Sequence, residues 1–304
     1  NIAAFDHKLQ QKLVACPFTE ALNADHFFTY VREIRNKVEL YCEKNLPLST
    51  EVQLRTREYG KIFSEMTIGM DGKQMTLQKA GTLLEETNRS CRKSVYLKIN
   101  ERVLQDVGQL EDLFDELLQK RQDIAQNAGF ENFRDYKFRS LGRFDYSVDD
   151  CLDFHESIAK EILPLVENLN EHRRSALEVE QLRPWDLNVD ISSRQPLKPF
   201  RNADELLQKT IRCLAQLDPT FGEVLAIMNE MGHLDLESRP GKRPGAYNMP
   251  LHISGVPFIF MNATRQLNDL RTLLHESGHA IHSYLTRAHK TNASKRMPPE
   301  IAEL

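Results

Sequence analysis

The stretch KSVYLKINERVLQDVGQLEDLFDELLQKRQDIAQNAG, residues 93–129, sets the fold class. Val95, Ile99, Val103, Val107, Leu110, Phe114, Leu117 and Leu118 recur at steps of three and four. That spacing puts apolar side chains along one side of a helix. It predicts helix from near Lys93 to Gly129, a residue suited to end one. The same reading extends outward. SVDDCLDFHESIAKEILPLVENL opens with Ser147 and Asp150 in a capping-box arrangement, and Pro164 should kink or divide it. NADELLQKTIRCLAQL starts a helix at Asn202, with Glu205 three residues on. Asp218-Pro219 then restarts a helix that runs to Gly232. The expected fold is mainly α.

Composition bounds the class. The 304 residues are 40% hydrophobic and 28% charged, enough for one large or two ordinary domains. A net charge of −4 gives no reason to expect a nucleic acid or an anionic membrane as partner. No run approaches the length of a spanning helix, and NIAAFDHKLQ lacks a leader pattern. Cys16, Cys42, Cys91, Cys151 and Cys213 stand singly, with no C-x-x-C pair. Thiolate metal binding and a disulfide framework are therefore not expected, and a cytoplasmic setting is. A start at Asn1 and a stop within PPEIAEL read as a segment of a longer protein.

Helix signals dominate to about residue 235. Proline-bearing stretches at 183–203 and 237–250 interrupt them, and no repeat appears. SLGRFDY, at 140–146, marks a boundary between an N-terminal helical region, 1–145, and a second region, 146–304. Strand character is expected only within 237–263, around Ala246–Tyr247 and Val256–Met261. A helix capped near Asn268 follows.

That last helix contains LLHESGHAIHSYL, residues 273–285. Positions four apart lie one turn above each other, so His275 and His279 project to one side. Glu276 is offset by about 100° from His275. A carboxylate placed there can take a proton from a water polarised by a shared ion, the H-E-x-x-H arrangement of zinc peptidases. Such zinc has three protein ligands and one open position. His282 and Leu285 stand where a metzincin needs glycine and histidine, which excludes that class. A glutamate from a following helix remains, and MPPEIAEL offers Glu300 and Glu303. Two histidines and a glutamate in one apolar helical run are hard to satisfy without a cation.

TLLHESGHAIHSYL, PGKRPGAYNMP, PFIFMN and PPEIAEL together resemble the M3 peptidases, specifically the oligoendopeptidase F group. GFENFRDYKFRSLGRFDYS and RPWDL extend the likeness over about two thirds of the chain. The resemblance implies one zinc ion per chain on His275, His279 and Glu303, with Glu276 as general base. Glu300 does not match the ligand position, and His282 matches a recurrent family histidine that is not a ligand. The resemblance further implies that PGAY borders the active-site channel, with Gly245, Ala246 and Tyr247 binding the substrate backbone. It implies a helical, neurolysin-like channel architecture with a small sheet beside the cleft, and unstructured oligopeptides as substrates. Family members carry a further histidine and tyrosines downstream that stabilise the oxyanion.

The reading is thus a zinc-dependent endopeptidase whose catalytic region is 146–304, with no nucleic acid or membrane partner and no indication of oligomeric state. Two alternatives stand beside it. One is an exopeptidase that shares H-E-x-x-H and a later glutamate, such as a carboxypeptidase or dipeptidyl peptidase. The other is a non-catalytic helical binding protein with a degenerate metal site. Lys242 and Arg243 read as a solvated turn, and Asp269 as a residue that stabilises its helix N-terminus.

Overall fold

Helices carry most of the residues that the computed structural model describes, which are 2–70 and 72–303. In chain order they are α1 (Ile2–Val14), α2 (Ala24–Leu40), α3 (Asn45–Glu65), α4 (Leu77–Gly81), α5 (Arg89–Gln105), α6 (Val107–Asn127) and α7 (Phe133–Ser140). Then come α8 (Val148–Glu161), α9 (Leu163–Ala176), α10 (Ala203–Leu217), α11 (Pro219–Glu230), α12 (Leu267–Leu285) and α13 (Pro299–Ala302). The strands are β1 (Thr67–Met70), β2 (Lys73–Thr76), β3 (Leu234–Glu237), β4 (Tyr247–Met249) and β5 (Phe258–Ala263). The chain divides into two compact units. One comprises Asn1–Glu58, Leu110–Lys160 and Ala288–Leu304; the other comprises Tyr59–Gln109 and Glu161–Arg287.

The first unit is tied by polar side chains that bridge distant parts of the chain. Buried Asn45 donates to the Ile124 carbonyl at 2.9 Å and accepts from Asn127 at 2.9 Å. Asn36 donates to the Arg139 carbonyl at 2.9 Å, and Arg32 pairs with Asp145 at 3.0 Å. Such bonds satisfy buried main-chain groups that apolar packing would orphan.

The second unit holds the larger core. Leu206, Leu207, Leu214, Val224, Leu225 and Met228 of α10 and α11 pack with Ile259 and Met261 of β5 and with Leu273, Ala280 and Ile281 of α12. Gly222 lets α11 approach α10: a Cβ there would lie 2.9 Å from the Ala215 Cβ and 3.1 Å from the Ile211 carbonyl. The sheet order is β3-β5-β4, with β3 parallel and β4 antiparallel to β5. A separate β1–β2 hairpin puts Ile68 and Met70 against Ala80 and Val95. Fully buried Asp186 accepts from Arg92, itself 3% exposed, at 3.0 Å and from Arg89 at 2.8 Å.

Several expected boundaries hold. Asp150 and Ser147 exchange capping bonds, Glu205 N–H donates to Asn202 Oδ1 at 2.9 Å, and α8 gives way to α9 just before Pro164. Gly129 ends the opening stretch at φ +84°, and Phe130 N–H reaches back to the Ala125 carbonyl. Other expectations need correction. Residues 93–129 are two helices, because Asp106 leaves helical geometry at φ −106°, ψ 11°. The packing face shifts there: Leu113, Leu117 and Ile124 are buried, whereas Phe114 and Leu118 are exposed. The hairpin β1–β2 lies outside the one region where strands were expected, and β3 starts ahead of that region, with only Glu237 inside it. Helix α12 begins at Leu267, capped by Gln266 and Asp269, on either side of Asn268, near which the cap was expected.

Candidate metal centre and peptide edge

Helix α12 follows β5 after only Thr264, Arg265 and Gln266. Its start is fixed by Asp269, whose carboxylate accepts from the Thr264 and Gln266 N–H groups at 2.7 and 2.8 Å. Burial pushes the Asp269 carboxyl up from its ordinary value, against those N–H bonds, which pull it down. Asp269 thus serves the helix N-terminus, as its position suggested. Leu273, Ser277, Ala280 and Ile281 form the buried face of α12, and Ser277 Oγ donates to the Leu273 carbonyl at 2.5 Å.

With that face committed to the core, the helix period turns His275, Gly278, His279 and His282 toward another side. The His275 and His279 Nε2 atoms are 3.1 Å apart, with ring centroids at 4.6 Å and planes at 81°. Two imidazole nitrogens at normal zinc distance and tetrahedral angle would be about 3.3 Å apart. The separation of the pair matches what one shared ion requires. Glu276, between them in sequence, is buried. A Cβ on Gly278 would meet nothing within 4 Å.

Glu303 belongs to the other unit, where it is exposed and ends the short turn α13 behind Pro298 and Pro299. Within that unit Glu300 is paired with Arg143. The net effect of its surroundings lowers the Glu300 carboxyl: burial raises it, and its own main-chain N–H, with the neighbouring Tyr146 and Arg143, outweighs burial. Of the two glutamates in PPEIAEL, Glu300 is thus committed elsewhere.

Gly245, Ala246 and Tyr247 lead into β4, which lies against α12. Gly245 has φ +103°, open to glycine and strained for other residues. Tyr247 pairs with Phe260 across the ladder, and their rings stack at 4.9 Å and 11°. The far edge of β4 takes no strand among the described residues. An unpaired edge is where an extended chain can add by main-chain hydrogen bonds.

Lys242 overturns its reading as a solvated turn. Its side chain is 2% exposed. Its Nζ donates to Asp235 Oδ1 at 3.0 Å and to the carbonyls of Asp235, Glu237 and Met261 at 3.0, 2.9 and 2.5 Å. It also lies 4.4 Å from the Phe260 ring centroid. Burial lowers the Lys242 ammonium's pKa, partly offset by Asp235. Asn262, likewise missed, donates to the Arg243 and Gly245 carbonyls at 2.9 and 3.0 Å. A lysine between two glycines, Gly241 and Gly245, was the available signal: glycines at such spacing let a chain wrap closely around a side chain.

A mainly helical chain, with an H-E-x-x-H helix packed behind a small mixed sheet, defines the class to which the comparisons then give a family. The Peptidase family M3 model matches residues 82–304, and the chain belongs to that family. It is 27% identical over 222 residues to oligopeptidase PepF of Bacillus subtilis (strain 168), covering 72% of this chain and 32% of that one. It is 26% identical over 235 residues to the chromosomal oligoendopeptidase F of Lactococcus lactis subsp. cremoris, covering 76% and 37%. The chain thus spans about a third of the length of these relatives. The solved structure of PZ peptidase A with an inhibitor superposes at TM-score 0.94 and 25% identity, over 99% of this chain and 54% of that one.

Proposed function

We propose that the protein is a zinc-dependent endopeptidase that hydrolyses short, unstructured oligopeptides. The convergence of the His275 and His279 Nε2 atoms on one helix face, beside a buried Glu276, carries this reading. His275, His279 and Glu303 hold one zinc per chain, with residues 146–304 as the catalytic region. Bound there, zinc supplies Lewis-acid polarisation of a water and of the scissile carbonyl. Glu276 takes the proton of the attacking water on a carboxylate oxygen and returns it to the leaving amine nitrogen. Gly245, Ala246 and Tyr247 bind the peptide along the open edge of β4. Main-chain pairing is largely blind to side chains, so broad sequence tolerance follows. The family membership and the names of the relatives support peptide hydrolysis. The five singly placed cysteines support the expected cytoplasmic setting.

The test combines zinc content with cleavage of a peptide blocked at both ends. The parent protein should hold near one zinc per chain and cleave internally. Glu276→Gln should keep zinc and lose at least about a hundredfold in kcat, the scale of general-base removal. Glu303→Ala should lose zinc; zinc retained at full affinity would reject Glu303 as a ligand. Cleavage confined to peptides with a free terminus would replace the endopeptidase with the exopeptidase. Absence of zinc and of hydrolysis would leave a helical binding protein.

A further inference from the structure

The segment Arg243–Tyr247 has to enter the sheet along one line if its outer edge is to receive a peptide, yet little in its own sequence dictates that line. Gly245 sits at φ +103° and Gly241 at φ +76°, so the backbone on both sides of Lys242 is flexible by composition. Two side chains remove that freedom. Lys242 reaches into the sheet and gathers carbonyls of β3 and β5, those of Asp235, Glu237 and Met261, around one ammonium. Asn262, on β5, reaches outward and holds the carbonyls of Arg243 and Gly245.

The orientation of the Asn262 amide is fixed by this chemistry. Its Nδ2 faces two carbonyl oxygens, and its buried Oδ1 accepts no bond from any described residue. Turned the other way, the amide would set oxygen against oxygen. Lys242 is a costly way to fasten a surface turn. Burying an ammonium is unfavourable unless hydrogen bonds compensate it, and here carbonyls, one carboxylate and the Phe260 face do so. The same Phe260 ring stacks on Tyr247, so the ammonium, Phe260 and Tyr247 form one column.

We infer that Lys242 and Asn262 are positioning residues that set the path of Arg243–Tyr247, so that the open edge of β4 accepts an extended peptide. The inference rests on the proposal that this edge binds substrate. Asn262 holds the Arg243 and Gly245 carbonyls toward β5, which leads the segment into β4 at Tyr247, in register with Phe260. Neither side chain needs to touch the peptide, and the chemistry at α12 proceeds without them.

The experiment measures binding and turnover separately in Lys242→Met, Lys242→Arg and Asn262→Asp. Lys242→Met keeps the apolar stem and removes the ammonium, and Asn262→Asp places a carboxylate oxygen against the two carbonyls. The binding probe is a fluorescein-labelled nine-residue peptide with one reduced, uncleavable amide, followed by anisotropy. Hydrogen exchange across 243–249 and 267–285 and zinc content are read on the same samples. Lys242→Met and Asn262→Asp should weaken probe binding at least tenfold. In both, amides at 243–249 should exchange faster, while α12 stays protected and zinc is retained. KM for a blocked peptide should rise with kcat within about threefold of the parent, and Lys242→Arg should recover part of the binding. Parent-like binding in both variants overturns the inference, as does equal loss of protection in α12 and 243–249, which marks a merely structural role. If Lys242→Met does not fold, Asn262→Asp decides alone. A parent protein that binds the probe but hydrolyses nothing sinks the peptidase reading and leaves this inference to the binding data. Failure of the parent to bind the probe overturns it.

Discussion

At the residue scale, the second unit depends on a few charges whose burial is repaid by neighbours. Asp186 is the clearest. Burial alone would raise its carboxyl, but bonds from Arg89, the Arg183 N–H and Arg92 hold it below the usual value. Asp186→Asn leaves the Arg92 guanidinium buried opposite a neutral group and should cost about 3–5 kcal/mol in chemical denaturation. Asp235 is held down to about 2, first by Arg239, then against burial by Lys242. A depressed carboxyl contributes its stability fully above its unfolded value of 3.8 and loses it as pH falls toward 2. Acid titration between those limits should therefore remove about 2 kcal/mol more stability from the parent than from Asp235→Asn.

Among elements, legibility followed how local the cause was. Caps and glycine stops were readable because their bonds span three to five residues, as at Ser147–Asp150, Asn202–Glu205 and Gly129. The division at Asp106 was not, because the apolar steps continue across it and only the packing of each half reveals the shift. β3 was missed because four residues, LDLE, owe their strand geometry to β5 more than to their own pattern. The Asp-Gly pair of MDGK is the local sequence signal for the β1–β2 hairpin. The histidine pair was legible because a helix period fixes it, whereas the Lys242 and Asn262 bonds span loop to strand and left no periodic trace. Two glycines test the packing directly. Gly222→Ala should cost about 1–3 kcal/mol by forcing α10 and α11 apart. Gly278→Ala, on an exposed helical turn, should stabilise by about 0.5–1 kcal/mol. Thermal melts of the pair should move in opposite directions.

For the whole molecule, the proposed ion couples composition to stability. Any ligand that binds only the folded chain stabilises it in proportion to the logarithm of its saturation. At free zinc a thousandfold above its dissociation constant the gain is about 4 kcal/mol. Chelation should thus lower Tm by several degrees, and stoichiometric zinc should restore it; magnesium should not, since imidazole nitrogens suit zinc and not a hard cation. A Tm indifferent to chelation in a protein verified to contain zinc would argue that the ion contributes nothing to folding. Fold class was readable at this scale from helix period alone, whereas the division into two units was not, because each gathers segments far apart in sequence.

The three-residue join between β5 and α12 works as a phase setting. The strand that fixes the peptide edge and the helix that carries His275 and His279 are one continuous piece of chain, geared through Thr264, Arg265 and Gln266. One residue added there would turn the helix by about 100° and advance it by about 1.5 Å relative to its core contacts. Either the histidines would leave their face or Leu273, Ala280 and Ile281 would leave the core. Length variation should therefore be tolerated in the exposed loop 252–254 between β4 and β5 and refused at 264–266, so the interval from Asn262 to HESGH acts as a fixed ruler.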